Sequence, residues 1–193
     1  MGHTTTAVAA SADTITPGTK VISPSKFSHV VLRTTQLRAM VDYYCTFLGA
    51  RVAFGNEIAS FLAYDNEHHR IGIMAFPDVV PAEQGAARTP GLEHIAFSFG
   101  TLEELATSYL QRKSVGIVPE WCVNHGPTTS MYYSDPDGNQ IEVEVDNFDT
   151  NEEAIAYMES PAFREDPMGT KFEPEEFVRR VRSGEDHHSI KKR

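Results

Sequence analysis

The sequence predicts an α+β fold in which two βαβββ modules pair into one half-open mixed sheet and C-terminal helices follow. Two observations carry this prediction. First, Lys26-Phe27-Ser28-His29-Val30-Val31-Leu32-Arg33 and Gly91-Leu92-Glu93-His94-Ile95-Ala96-Phe97-Ser98 open alike, each placing one histidine in an apolar run that leads into an amphipathic helix. The copies are offset by 65 residues, from His29 to His94. That is too long for a solenoid repeat and suits a small α/β unit fused to its own copy. Second, three short strand-like segments follow each of the two helices.

In the first module a strand is expected from about Phe27 to Thr34, then a helix from Gln36 to Leu48 whose apolar residues recur at three and four. Gly49 closes that helix. Strands follow at Arg51 to Phe54, Ile58 to Tyr64 and Arg70 to Phe76, separated by Gly55-Asn56 and Asp65-Asn66 turns. The second module repeats the order. It has a strand from Leu92 to Phe99, a helix from Leu102 to Arg112, and strands near Gly116 to Cys122, Thr129 to Ser134 and Gln140 to Val145. Asp135-Pro136-Asp137-Gly138-Asn139 makes the last hairpin. Beyond Phe148 the pattern turns helical, with Asn151 capping Glu152 to Glu159 and Pro174 opening a helix through Val181.

These assignments divide the chain into a disordered tail over 1–25, a first module over 26–77, a linker over 78–90, a second module over 91–147 and a helical extension over 148–193. The extension reads as an arm packing on the body or on a neighbouring subunit. The tail is rich in Thr, Ala, Ser, Gly and Pro and lacks the apolar run of a secretory signal.

Bulk properties exclude several classes of function. A hydrophobic fraction of 40% and a charged fraction of 23% are ordinary for a soluble protein, and no apolar run approaches the roughly 18 residues that span a bilayer. A net charge of −10 repels polyphosphate, so neither nucleic acid nor membrane is expected as a partner. The basic cluster Lys191-Lys192-Arg193 is expected to fray in solvent. Cys45 and Cys122 form no Cys-x-x-Cys pair and read as packed, reduced thiols, which points to the cytoplasm.

A lone histidine in a strand is usually a core residue. Two at equivalent points of duplicated strands can converge when the first strands pair side by side, and convergent neutral imidazoles suit a divalent metal. A third ligand should come from a neighbouring strand. In Gln140 to Asp146, alternation puts Ile141, Val143 and Val145 on one face and Glu142, Glu144 and Asp146 on the other. Either Glu142 or Glu144 then completes a 2-His-1-carboxylate site.

At this point the chain resembles the vicinal oxygen chelate superfamily, and more closely the type I extradiol ring-cleavage dioxygenases in a single-module-pair form. The segment that carries the likeness is Val123-Asn124-His125, then Met131-Tyr132, Asp135-Pro136-Asp137-Gly138 and Glu142. It is similar to that family's signature around its metal-binding glutamate, and this register implies Glu142 rather than Glu144. Asp65-Asn66-Glu67-His68-His69-Arg70-Ile71-Gly72-Ile73 is similar to the segment carrying the family's acid/base histidine, which implies His69, with His68 facing away. The likeness covers Phe27 to Asn147.

The resemblance implies Fe(II), or the chemically similar Mn(II), held by His29, His94 and Glu142, with open positions for both oxygens of a catechol and for O2. It assigns His69 to proton transfer, Tyr132 to a hydrogen bond with a catechol oxygen, and His125 to a place over the ring, where it stabilises developing negative charge. The expected reaction opens the ring of a 1,2-dihydroxyaromatic substrate with both atoms of O2, in aromatic catabolism, with no organic cofactor. The enzyme is expected to be a homo-oligomer. Met74, Phe76, Trp121 and Phe148 are candidates for an aromatic pocket. Two other readings share the fold: a glyoxalase-like isomerase or glutathione transferase, and a non-catalytic module that sequesters a ligand. Against the first, Arg70 to Phe76 offers no fourth ligand of the kind that glyoxalase relatives use.

Overall fold

Two βαβββ units are what the chain builds. The computed structural model describes residues 21–80 and 90–193. Of the expected tail, residues 1–20 lie outside the described residues, and 21–25 are exposed and irregular. Residues 81–89 of the expected linker also lie outside them.

The first unit runs β1 (Val30–Thr34), α1 (Leu37–Leu48), β2 (Arg51–Gly55), β3 (Ala59–Ala63) and β4 (Ile71–Ala75). Its sheet has the order β1-β4-β3-β2, with β1 parallel to β4 and the other pairs antiparallel. Gly49 ends α1 at φ 63°, a left-handed conformation that an L side chain would strain. Met40, Tyr44 and Phe47 are the buried face of α1, at the three- and four-residue spacing of a helix stripe.

The second unit repeats the topology with β5 (His94–Phe99), α2 (Leu102–Ser114), β6 (Trp121–Asn124), β7 (Thr128–Ser134) and β8 (Gln140–Asp146). Its order is β5-β8-β7-β6-β9, the last strand (Thr170–Lys171) being supplied by the extension. The first strand of each unit is therefore a sheet edge, and hydrogen bonds divide the mixed strands into a four-stranded and a five-stranded sheet.

A buried joint unites the units. Phe47 meets Tyr133 edge-on at 5.0 Å, and the Arg112 guanidinium lies 4.1 Å over the Phe47 ring. Arg112 Nε also donates to the Phe47 carbonyl at 2.9 Å, satisfying one of the acceptors that the end of α1 leaves open. Tyr44 donates its hydroxyl to Asp135 Oδ2 at 3.0 Å. At one end of the joint Gln36 Nε2 donates to Pro136 O (3.0 Å) and Asp137 Oδ1 (2.6 Å).

The extension folds as α3 (Asn151–Met158), α4 (Pro161–Glu165), β9, α5 (Pro174–Arg182) and α6 (His187–Lys191). Helix α5 buries Phe177, Val178 and Val181 and packs on α2, where Glu175 pairs with Lys113 and accepts from Tyr109.

Four local expectations change. Strand β6 starts at Trp121 rather than near Gly116, because Gly116 at φ 83° and the Ile117 N–H bond back to Arg112 O spend that stretch on a turn. The cap of α3 is Thr150, not Asn151; its side chain accepts from Glu153 N while Glu153 answers to the Thr150 N–H, a reciprocal capping box. The short elements α4, β9 and α6 lie below the length at which periodicity speaks. The basic C-terminus is docked rather than frayed: Arg193 pairs with Asp166, and Asn124 Nδ2 donates to Lys191 O at 2.9 Å.

Among the described residues no helix is long and apolar enough to cross a membrane. Cys45 and Cys122 are free, and burial pushes the Cys122 thiol up to about 12. Cys122 is therefore expected to resist iodoacetamide at pH 8 until denaturant is added, as mass spectrometry of the alkylated protein would show. Replacing Arg112 with Ala should lower stability by about 2–4 kcal/mol, read by urea denaturation, since it empties space beside Phe47 and strands a carbonyl acceptor.

Candidate active site

Strands β5 and β8 run parallel with His94 opposite Gln140 and Ala96 opposite Glu142. One face of this ladder therefore carries His94, Ala96, Ser98, Glu142 and Glu144, while Ile141, Val143 and Val145 enter the core on the other. His94 Nε2 lies 3.0 Å from Glu142 Oε2, and the Glu142 side chain is only 9% exposed. Two donors bound to a six-coordinate ion at about 2.1 Å and at right angles stand about 3.0 Å apart, so this imidazole and carboxylate fit adjacent positions on one such ion.

Tyr132 sits opposite Glu142 on β7. Its hydroxyl lies 2.9 Å from His125 Nε2. Burial, followed by the charge of Glu142, raises the Tyr132 pKa, so the phenol keeps its proton and acts as a donor. Trp121 stacks on Tyr132 at 4.8 Å and meets His125 edge-on at 5.5 Å. Of the four aromatic-pocket candidates, Trp121 thus belongs to this wall, whereas Phe148 packs on Tyr157 of α3. Met74 and Phe76 lie on and just beyond β4 of the other unit.

Glu144, the alternative carboxylate, points elsewhere. It accepts from Ser98, its other oxygen is buried without a hydrogen-bond partner, and burial raises its pKa.

The first unit holds the remaining candidates. His29 and His69 pack with ring centroids 4.5 Å apart, and Phe61 lies 4.9 Å from His69. His68 Nδ1 is 2.6 Å from His69 Nδ1, with the His68 side chain 71% exposed. The pKa of His69 is lowered, first by desolvation and then by the charges of His29 and His68. Among the described residues no group of three or more His, Cys, Asp or Glu side chains is close enough to hold a metal ion. Within a single chain, then, His94 and Glu142 come together, and His29 belongs to a second group with His69.

Sequence reasoning missed what holds the His125 loop. Asn147 Nδ2 donates to Asn124 Oδ1 (3.0 Å) and Gly126 O (2.8 Å), while Asn124 Oδ1 also accepts from Gly126 N at 2.8 Å. Gly126 has φ 101°, and a Cβ there would come within 2.2 Å of the Tyr157 ring of α3. Two asparagines flanking the strand pair and a glycine after His125 were the available signal.

The chain belongs to the Glyoxalase/Bleomycin resistance protein/Dioxygenase superfamily, whose family model matches residues 26–143. Among curated relatives it is 45% identical to biphenyl-2,3-diol 1,2-dioxygenase 2 of Rhodococcus globerulus over 77% of each chain. It is 44% identical to biphenyl-2,3-diol 1,2-dioxygenase 3 of the same organism, over 77% of this chain and 78% of the relative. Cleavage between carbons 1 and 2 of a 2,3-diol is extradiol, and this chain is an enzyme of that class, an extradiol dioxygenase. Among solved structures, the fosfomycin resistance protein FosX of Listeria monocytogenes shares the fold, with a TM-score of 0.51 and 22% identity over 68% of this chain and 99% of that one. Lactoylglutathione lyase of Agrobacterium tumefaciens does so with a TM-score of 0.50 and 18% identity over 64% and 95% of the two chains.

Replacing Gly126 with Ala is expected to lower kcat by about 10–100-fold, because a displaced loop carries His125 with it. Steady-state kinetics alongside a thermal melt would separate this displacement from simple unfolding.

Proposed function

We propose that this chain is an Fe(II)-dependent extradiol dioxygenase acting on an aryl-substituted catechol, with His29, His94 and Glu142 as the metal ligands. Mn(II) is the other ion that the same donors suit. The observation that carries the reading is the His94–Glu142 pair, 3.0 Å apart, on the wall that also presents the Tyr132 hydroxyl and His125. The names of the two Rhodococcus relatives supply the substrate class, a vicinal diol on a biphenyl, with O2 as co-substrate. Aromatic catabolism is the setting, and free Cys45 and Cys122 favour the cytoplasm.

When bound, ferrous iron supplies a Lewis acid and an electron relay between the diol and O2. The chain supplies the rest. Tyr132, kept protonated, donates a hydrogen bond to one diol oxygen and so fixes the ring's orientation. His125, anchored on the Tyr132 hydroxyl, lies beside the ring to stabilise negative charge as it develops on the substrate oxygen. Trp121, stacked behind Tyr132, offers an aromatic surface to the aryl substituent. His69, whose Nδ1 is engaged by His68, has Nε2 left to take up and return a proton, a task helped by its lowered pKa.

Anaerobic purification with Fe(II), followed by exposure to 2,3-dihydroxybiphenyl and simple catechols in air, tests the reading. A yellow ring-opened product with one O2 consumed per ring is expected, and absence of O2 uptake across that panel by iron-loaded protein would overturn it. Glu142→Ala is expected to lose both iron and turnover by metal analysis and oxygen electrode. Tyr132→Phe should keep its iron and lower kcat by about 10²–10³-fold.

A further inference from the structure

We propose that a cavity between the five-stranded sheet and the C-terminal extension is a binding site for a small aromatic carboxylate, and that the His125 loop senses its occupant. The site stands apart from the metal reading; only the part given to His125 in turnover rests on it.

The cavity encloses about 200 Å³, room for a molecule with a single ring. Strands β6 and β7 close one side of it with Asn124 and Thr129, which are register partners, and β9, α5 and α6 close the rest. Alternation along β6 puts Asn124 on the face opposite to Trp121, so the cavity lies behind the wall that carries Tyr132.

Two kinds of surface line this space. Phe172 and Phe177, with ring centroids 5.4 Å apart, join Ile190 in an apolar side. The charged lining is mainly basic, in a chain whose net charge is −10: Lys171, Arg180, Lys192 and Arg193 all reach the cavity. Arg180 is held by Glu185 and Arg193 by Asp166, while the lining Glu176 accepts from two guanidinium nitrogens of Arg179. Among the described residues Lys171 and Lys192 make no ion pair, and Glu173 is the one lining carboxylate in the same state. Two exposed ammonium groups against one carboxylate leave the mouth positive. An apolar slot with such a mouth suits a ring that carries one carboxylate.

The sheet side of the cavity is tied to the loop. Asn124 immediately precedes His125, and its Oδ1 accepts from Gly126 N (2.8 Å) and Asn147 Nδ2 (3.0 Å). Thr129 Oγ1 donates to Asn147 Oδ1 at 2.8 Å, and His125 N donates to Thr128 O at 2.9 Å. A ligand seated on Asn124 and Thr129 therefore touches the brace that holds His125. If it binds one arrangement of that brace better than another, it shifts the loop by that difference. Trp121, the chain's single tryptophan, meets the His125 ring edge-on at 5.5 Å and so reports on the loop.

The test titrates benzoate into the full-length chain, with and without Fe(II) and under anaerobic conditions, by calorimetry and by Trp121 fluorescence. Saturable binding with a Kd of about 0.1–1 mM is expected for so small a ligand, in both metal states. Trp121 emission is expected to change with the same midpoint. The double variant Lys171→Glu with Lys192→Glu, at two exposed positions, should weaken binding by at least about tenfold with an unchanged thermal melt. Benzamide, which has the ring without the charge, should bind at least about tenfold more weakly than benzoate. Absence of benzoate binding, equal binding by the double variant, or equal binding of benzamide would overturn the site. Benzoate that binds while Trp121 emission stays constant would overturn the link to His125. None of these readouts needs turnover, so their failure and a failure of the O2-uptake test are distinguishable.

Discussion

A carboxylate sunk into a sheet sets the terms for the rest of this molecule. Glu142 is buried between two strands with an imidazole nitrogen at 3.0 Å and Tyr132 opposite it on β7. Burying such a charge costs several kcal/mol unless a positive partner meets it. A divalent ion held there would supply two positive charges. The parallel register of β5 on β8 is what delivers His94 to that position, and the core behind it, Ile141, Val143 and Val145, fixes the register because a slip by one residue would turn the carboxylates inward.

Much of the fold was legible because the repeat was legible. The apolar period of Leu37 to Leu48, the closing Gly49 and the alternation in Gln140 to Asp146 all reappear as elements with nearly the expected ends. Local chemistry governs those features. The placement of one unit on the other was not legible, since it depends on Arg112, Phe47, Tyr133 and Asp135 meeting across long sequence separations. Similarity of the two histidine strands suggested that they lie side by side, and each of them is a sheet edge, hydrogen-bonded on one side only among the described residues. Of the site, the Tyr132–His125 contact follows the signature spacing, while the Asn124–Asn147 brace emerges only once β6 and β8 lie on either side of β7.

The C-terminal extension shows how an addition to a duplicated fold becomes part of its chemistry. It contributes β9 to the edge beside β6, places Tyr157 against Gly126, and lets Asn124 reach Lys191. All three contacts converge on the stretch around His125. A loop whose backbone bonds are tied from behind holds its side chain in one orientation at little entropic cost.

Asp135 invites a different view of the signature that marks this family. Its carboxylate accepts from the amides of Asp137 and Asn139, from the Asn139 side chain and from the Tyr44 hydroxyl of the other unit. Every acceptor position is spoken for, so this group has no lone pair to lend to a substrate. The most recognisable stretch of the sequence is a hinge pin between repeats. Loss of catalysis would leave that structural role of Asp135 in place, so a match to that stretch identifies how a chain is put together before it identifies any reaction.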